Sequence, residues 1–373
     1  MIKIPKHIQE LKPYKAGKPI EELAREKGIT KIVKLASNEN PLGPSPKAME
    51  VINNHLQDLH RYTNPSSYKL VHAIAKKYNR RPEEIVTASG SDALLQYIIT
   101  AFSDENDELL TSEGTFIGWY VNADKYGRKS IQVPLINYHY DLDGIYENIN
   151  PNTKIIYLAN PNNPTGTMFT KEEFESLLNK VPENILILLD EAYTIYAEDN
   201  PEYPNGLKYE NENLIVIRTL SKAYGLAGIR LGIALGPEYL IKEIYKVKLP
   251  FEPNALAQEA AIAALDDDEF LQNTKLLNKS SLEKMKQKFD ELNIEYVSTS
   301  ANFYMLVFPT EEFASAFNEQ CLNKGLILRH VNTFGIPNGI RINSGTDEET
   351  EFALNVISEV YHNLLDKHEM HTA

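Results

Sequence analysis

The chain has 373 residues, 42% hydrophobic and 24% charged, a balance that excludes a fibrous or disordered protein and is large enough for two lobes. A formal net charge of -14 repels phosphate backbones and anionic lipid, which excludes nucleic acid and membrane surfaces as partners. The lone cysteine, Cys321, cannot close an intramolecular disulfide. With no apolar leader and no run long enough to span a bilayer, a cytoplasmic protein is expected.

Residues 1–30 hold three prolines and read as an extended arm with one short helix from Pro19. Such an arm docks on the smaller lobe or on a partner. From residue 31 to about 260, short apolar runs alternate with amphipathic segments. Strands are predicted at Ile85–Ala88, Glu108–Thr111, Ile155–Ala159, Ile185–Leu189, Leu214–Ile217 and Leu231–Leu235. Alternation of this kind predicts an α/β lobe with a mostly parallel, helix-covered sheet. Residues 261–373 read as a smaller α+β lobe, with strands near 303–308 and 326–329 among long helices and a frayed tail from Lys367.

The motifs fall at strand ends, where open α/β sheets place their ligands. After the first strand, Ser89-Gly90-Ser91-Asp92 opens a helix whose free amides suit an anion. After the third come Asn160-Pro161-Asn162-Asn163-Pro164-Thr165-Gly166, a rigid loop that leaves Asn163 able to donate. Asp190 ends the next apolar run. It either caps a helix or, as a buried carboxylate, needs a cationic or donor partner. Beyond Leu214–Ile217, the run from Thr219 to Arg230 supplies the hydroxyls of Thr219 and Ser221, the glycines Gly225 and Gly228, and the Arg230 guanidinium. Together they describe a phosphate cradle beside Lys222, which is then either one more phosphate contact or a reactive amine.

The three motifs Pro-Asn-Asn-Pro-Thr-Gly, Asp-Glu-Ala-Tyr and Ser-Lys-x-Tyr-Gly-Leu-Ala-Gly-x-Arg, in this order, resemble those of the fold-type I pyridoxal-phosphate aminotransferases. Within that group, Leu35 to Pro46, Ala301 to Tyr304, Leu326 to Arg329 and Ile340 to Thr346 are similar to the histidinol-phosphate aminotransferases. The resemblance implies a fold-type I transferase that binds pyridoxal 5'-phosphate covalently at Lys222, the same lysine then moving a proton on the substrate. It implies that Asp190 keeps the pyridine nitrogen protonated, that Asn163 and Tyr193 contact the phenolate oxygen, and that Phe116 stacks on the ring. Phe116 also reads as an ordinary core residue. Ser91, Asp92, Thr219, Ser221 and Arg230 would hold the cofactor phosphate, joined by Tyr62 from a neighbouring subunit, so a homodimer with shared sites is implied.

On the substrate side the resemblance implies Tyr14, Asn38, Arg329 and Arg341. Arg341 would take a distal anion, and the two arginines together suit a phosphate dianion better than a carboxylate. The expected reaction is amino transfer between histidinol phosphate and 2-oxoglutarate, giving glutamate. An aromatic amino acid aminotransferase, a phosphothreonine-type decarboxylase and a non-catalytic cofactor-binding module remain as alternatives. No metal is expected.

Overall fold

The computed structural model describes residues 2–11 and 19–372, with side chains described up to Asp366. The strands in chain order are β1 (Val33–Lys34), β2 (Ile85–Ala88), β3 (Glu108–Ser112), β4 (Lys129–Val133), β5 (Thr153–Ala159), β6 (Leu186–Asp190), β7 (Leu214–Thr219) and β8 (Gly232–Leu235). They are followed by β9 (Glu295–Val297), β10 (Phe303–Val307), β11 (Leu326–Ile327), β12 (Arg329–His330) and β13 (Gly339–Asn343). Seven of them form one sheet in the order β2-β8-β7-β6-β5-β3-β4, in which only β8 runs antiparallel to its neighbours.

Strands β5, β6 and β7 read as unbroken apolar runs because both faces of the sheet are covered. Alternate residues serve different cores. Ile155, Tyr157, Leu186, Leu188, Ile215 and Ile217 pack under the helices Ser91–Phe102 and Glu238–Val247. Ile156, Leu158, Ile187, Leu189, Leu214 and Val216 pack with Phe174 and Leu177 of the helix Lys171–Leu178 on the other face. The period of two therefore survives inside a run that has no polar residue to mark it.

The six predicted strands of this sheet are all present. The seventh, β4, was not foreseen: Lys-Ser-Ile-Gln-Val is half polar because it is an edge strand, its Lys129 held by Glu108 of β3. The second sheet, β12-β13-β10-β9, is wholly antiparallel and lies under the helices Asp268–Leu292, Glu311–Asn323 and Asp347–Thr372. The strand expected near 326–329 is split. Leu326 and Ile327 pair in parallel with β1, whereas Arg329 and His330 join the four-stranded sheet.

The arm holds one more helix than expected, Lys6–Glu10, ahead of Ile20–Lys27, whose Leu23 packs on Ala36 and Ile327. The last helix runs on to Thr372 where fraying was expected from Lys367. No described helix is long and apolar enough to cross a membrane.

Candidate active site

The carboxyl ends of β5, β6 and β7 meet at a cleft of about 240 Å³. The β5 loop is stapled by Asn162, which donates to the Gly114 carbonyl at 2.9 Å and accepts from the Thr115 hydroxyl at 2.8 Å. The next residue, Asn163, accepts a hydrogen bond from Arg341 through its Oδ1, which leaves its amide nitrogen to donate, and it lines the cleft. At the end of β6, Asp190 accepts from the Tyr157 hydroxyl at 2.9 Å and from the Ala192 amide at 3.1 Å. Tyr193 follows, its hydroxyl oxygen accepting from Asn38 Nδ2 at 2.7 Å. That bond leaves the tyrosine's own proton free to point into the cleft.

Beyond β7, Thr219 Oγ1 accepts the Ser221 amide at 3.1 Å and donates to the Ser221 hydroxyl at 3.0 Å, curling the loop so that Lys222 enters the cleft. Gly225 is required in this turn: at a φ of 68° its added Cβ would lie 1.9 Å from the Gly43 carbonyl oxygen. Behind the rim a buried ion pair ties β6 to β7. Glu191 accepts from Arg218 at 2.9 and 2.6 Å and from the Gly206 amide at 2.6 Å.

The electrostatics are those of a site prepared for chemistry. Burial, helped by the nearby charge of Arg341, lowers Lys222 to about 8, so a neutral amine is within reach near physiological pH. Its Nζ donates to the Ser37 carbonyl at 3.0 Å. Burial raises Asp190 to about 6, opposed by the Tyr157 and Ala192 donors. No cation among the described residues forms an ion pair with Asp190. A protonated ring nitrogen would supply that charge. The Ser91 hydroxyl is buried and without a partner at the start of the helix Ser91–Phe102, beside Arg230. An amine, a buried carboxylate and an anion cradle in one cleft fit pyridoxal 5'-phosphate.

A second hollow of about 140 Å³ adjoins the first and shares Phe116, Asn163, Tyr193 and Lys222 with it. Asn38, Arg329, Phe334 and Arg341 are among its other walls. Arg341 is buried and donates to the Ala36 carbonyl at 2.7 Å as well as to Asn163. A larger hollow of about 500 Å³ lies at the opposite end of the sheet. Several of its charges are paired, Arg81 with Glu84 and Glu238, and Lys242 with Glu238.

The cleft thus brings together Ser91, Asp92, Phe116, Asn163, Asp190, Tyr193, Thr219, Ser221, Lys222 and Arg230, and the adjoining hollow gathers Asn38, Arg329 and Arg341. Tyr62 stands apart, 84% exposed and stacked on Phe251 at 4.5 Å. Tyr14 lies outside the described residues. Sequence reasoning missed Tyr157 and Phe334. Tyr157 had a signal, being a polar-tipped residue inside the apolar run Ile155–Ala159 and on the same face as Ala159 at the strand's end; Phe334 had none, since its turn brings it back to the site only in three dimensions.

Residues 30–357 match the family model of class I and II aminotransferases. The chain is 40% identical over 355 residues to histidinol-phosphate aminotransferase 2 of Pasteurella multocida, covering 95% of this chain and 96% of that one. It is 39% identical to the histidinol-phosphate aminotransferase of Caldicellulosiruptor saccharolyticus, covering 95% and 98%. Among solved structures, the histidinol-phosphate aminotransferase of Sinorhizobium meliloti in complex with pyridoxal-5'-phosphate superposes with a TM-score of 0.90 at 26% identity, covering 98% and 99%. An aspartate aminotransferase of Thermus thermophilus superposes at 0.83 with 22% identity, covering 96% and 100%, a likeness of fold alone.

Proposed function

The chain belongs to the class I and II aminotransferases, and within them to the histidinol-phosphate aminotransferases; on that footing we propose that it moves an amino group between histidinol phosphate and 2-oxoglutarate. The observation that carries this reading is the convergence of Lys222 and Asp190 in one cleft with two arginines in the hollow beside it. Pyridoxal 5'-phosphate, when bound, supplies an electron sink for the bonds of the amine-bearing carbon. Everything else is the work of side chains.

Lys222, with its lowered basicity, would hold the cofactor through its neutral amine and, once released, carry a proton at its Nζ. Asp190 holds the ring nitrogen protonated, its remaining lone pairs fixed by Tyr157 and Ala192. Asn163 and Tyr193 each present a donor toward the phenolate oxygen, because Arg341 and Asn38 already occupy their acceptor sides. Phe116 forms a wall against the ring, while the amides at Ser91 and Asp92, with Thr219, Ser221 and Arg230, take the phosphate.

Arg341 stands at the lysine end of the hollow, since it bonds Asn163 and lowers Lys222. We therefore place the anion it grips beside the reacting carbon rather than at the far end of the substrate. Histidinol phosphate carries its phosphate ester on the neighbouring carbon, and an amino acid carries its carboxylate there, so one arginine can serve both half-reactions. Arg329 adds a second fork.

Tyr62, Tyr68, Leu249 and Phe251 are exposed by 84, 59, 59 and 40%, and Ser67 reaches the Glu252 carbonyl between them at 3.4 Å. An apolar patch of this kind favours a partner surface. A second copy of the chain seated there would deliver Tyr62 to the neighbouring cofactor phosphate, and Tyr14 of the arm would reach the substrate. With its single buried cysteine, the enzyme suits the cytoplasm.

Adding histidinol phosphate alone to the purified yellow protein should bleach its visible band as the amino group moves to the bound cofactor, and 2-oxoglutarate should restore it. A spectrum indifferent to histidinol phosphate would remove the proposal.

A further inference from the structure

Arg329 of β12 and Arg341 of β13 are direct partners across an antiparallel ladder, so their side chains leave the same face of the sheet. Like charges so placed repel and splay apart unless something between them sets their distance. One ring does so. The centroid of Phe334 lies 5.6 Å from the Arg329 guanidinium carbon and 5.9 Å from that of Arg341. Both distances are within cation–π range.

The ring has little freedom. Phe334 is 4% exposed and closes the short turn Asn332–Phe334, its amide donating to the Val331 carbonyl at 2.9 Å. Val331, Met305 and Ile336 pack around it from the small lobe, and Ile117 and Leu135 from the large one. Phe303 takes the other side of Arg341 at 5.3 Å.

We propose that Phe334 is a positioning residue for substrate specificity, holding the Arg329 and Arg341 guanidiniums at the spacing of a phosphate monoester and so favouring a dianion over a carboxylate. An acidic residue in its place would fix the arginines equally well but cancel one of their charges. A π face attracts both guanidiniums and takes up none of their N–H donors. Two forks on one group match three acceptor oxygens and two charges; a carboxylate fills one fork and leaves the second cation unmatched. The inference rests on the reading that this hollow takes the phosphate of the substrate.

The test is calorimetric binding of inorganic phosphate and of acetate to the holoenzyme, in wild type and in Phe334→Leu, Phe334→Met and Phe334→Tyr. Losing the ring should weaken phosphate about tenfold and acetate by less than about threefold, the range expected for loss of a shared cation–π contact. Phe334→Tyr, which keeps the π face, should restore phosphate binding; Phe334→Met stands in if the leucine variant does not fold. Equal weakening of both anions, or phosphate binding that survives loss of the ring, would overturn the inference while leaving the phosphate reading intact. A wild-type enzyme that binds phosphate no better than acetate would overturn both.

Discussion

Arg329 and Arg341 face each other in the register of β12 and β13, and both line the hollow that opens onto Lys222. Their burial differs, and so should their effects. Arg341 is 5% exposed and also bonds Asn163, whereas Arg329 lies further out, its guanidinium over the Phe334 ring. Arg329→Ala should lower kcat/KM for histidinol phosphate by about ten- to hundredfold, the loss of one charge-assisted contact of roughly 1.5–3 kcal/mol, and should affect phenylalanine far less. Arg341→Ala should damage both substrates. Equal losses at Arg329, or a wild-type preference for phenylalanine, would point to an aromatic amino acid enzyme.

Asp190 destabilises the cofactor-free fold. Burial raises it to about 6, so the folded state holds a proton that the unfolded chain releases near 4. Between those values stability falls as the pH rises, and above about pH 6 the full penalty, at most about 3 kcal/mol, applies. Asp190→Asn should therefore make the cofactor-free protein more stable at pH 8, by about 1–2 kcal/mol after the poorer fit of an amide to two donors, and no more stable at pH 4. Denaturant midpoints at the two pH values decide it. The same variant should lose several orders of magnitude in turnover, because the ring nitrogen loses its anion.

The pair Glu191–Arg218 should behave differently, since both of its charges are already matched. It is buried, with Arg218 also over the Tyr78 ring at 4.8 Å. Arg218→Ala would leave Glu191 charged and without its cation, and should cost about 3–5 kcal/mol. Replacing both, as in Glu191→Leu with Arg218→Met, should cost far less than Arg218→Ala alone. A double variant as unstable as the single one would mean that the pair's packing, not its charge, joins β6 to β7.

What could be read from the chain tracks how local its physics is. The apolar runs of β5, β6 and β7 and the motifs that follow them are contiguous, so the cleft of Lys222, Asp190 and Asn163 was legible residue by residue. Edge strand β4 was illegible because it has a neighbour on one side only, and its exposed Lys129 and Gln132 interrupt the apolar pattern. Strand β13 was passed over although Gly-Ile-Arg-Ile-Asn alternates, because all five residues are buried and Arg341 reads as a break in the pattern. Tyr157 acts on Asp190, 33 residues away, and Phe334 faces Arg341 across a turn, and such meetings are set by sheet register and turn geometry.

Tyr62 gives the test of assembly. It stacks on Phe251 in an exposed apolar patch and contributes nothing to the cleft of its own chain. If a second copy covers that patch and Tyr62 completes the partner's phosphate cradle, then Tyr62→Ala and Lys222→Ala damage different chains of the same site. Each variant alone is inactive or nearly so. When the two are mixed in equal amounts and exchange at random, half the dimers are mixed, and in each of these one site carries both lesions and the other carries none. Activity should therefore rise to about a quarter of the wild-type level. The measurement is turnover against time after mixing, with subunit exchange followed in parallel by native mass spectrometry. Mixed dimers that form without any return of activity would show that Tyr62 serves only its own chain, and full activity in dilute monomers would remove the shared site altogether.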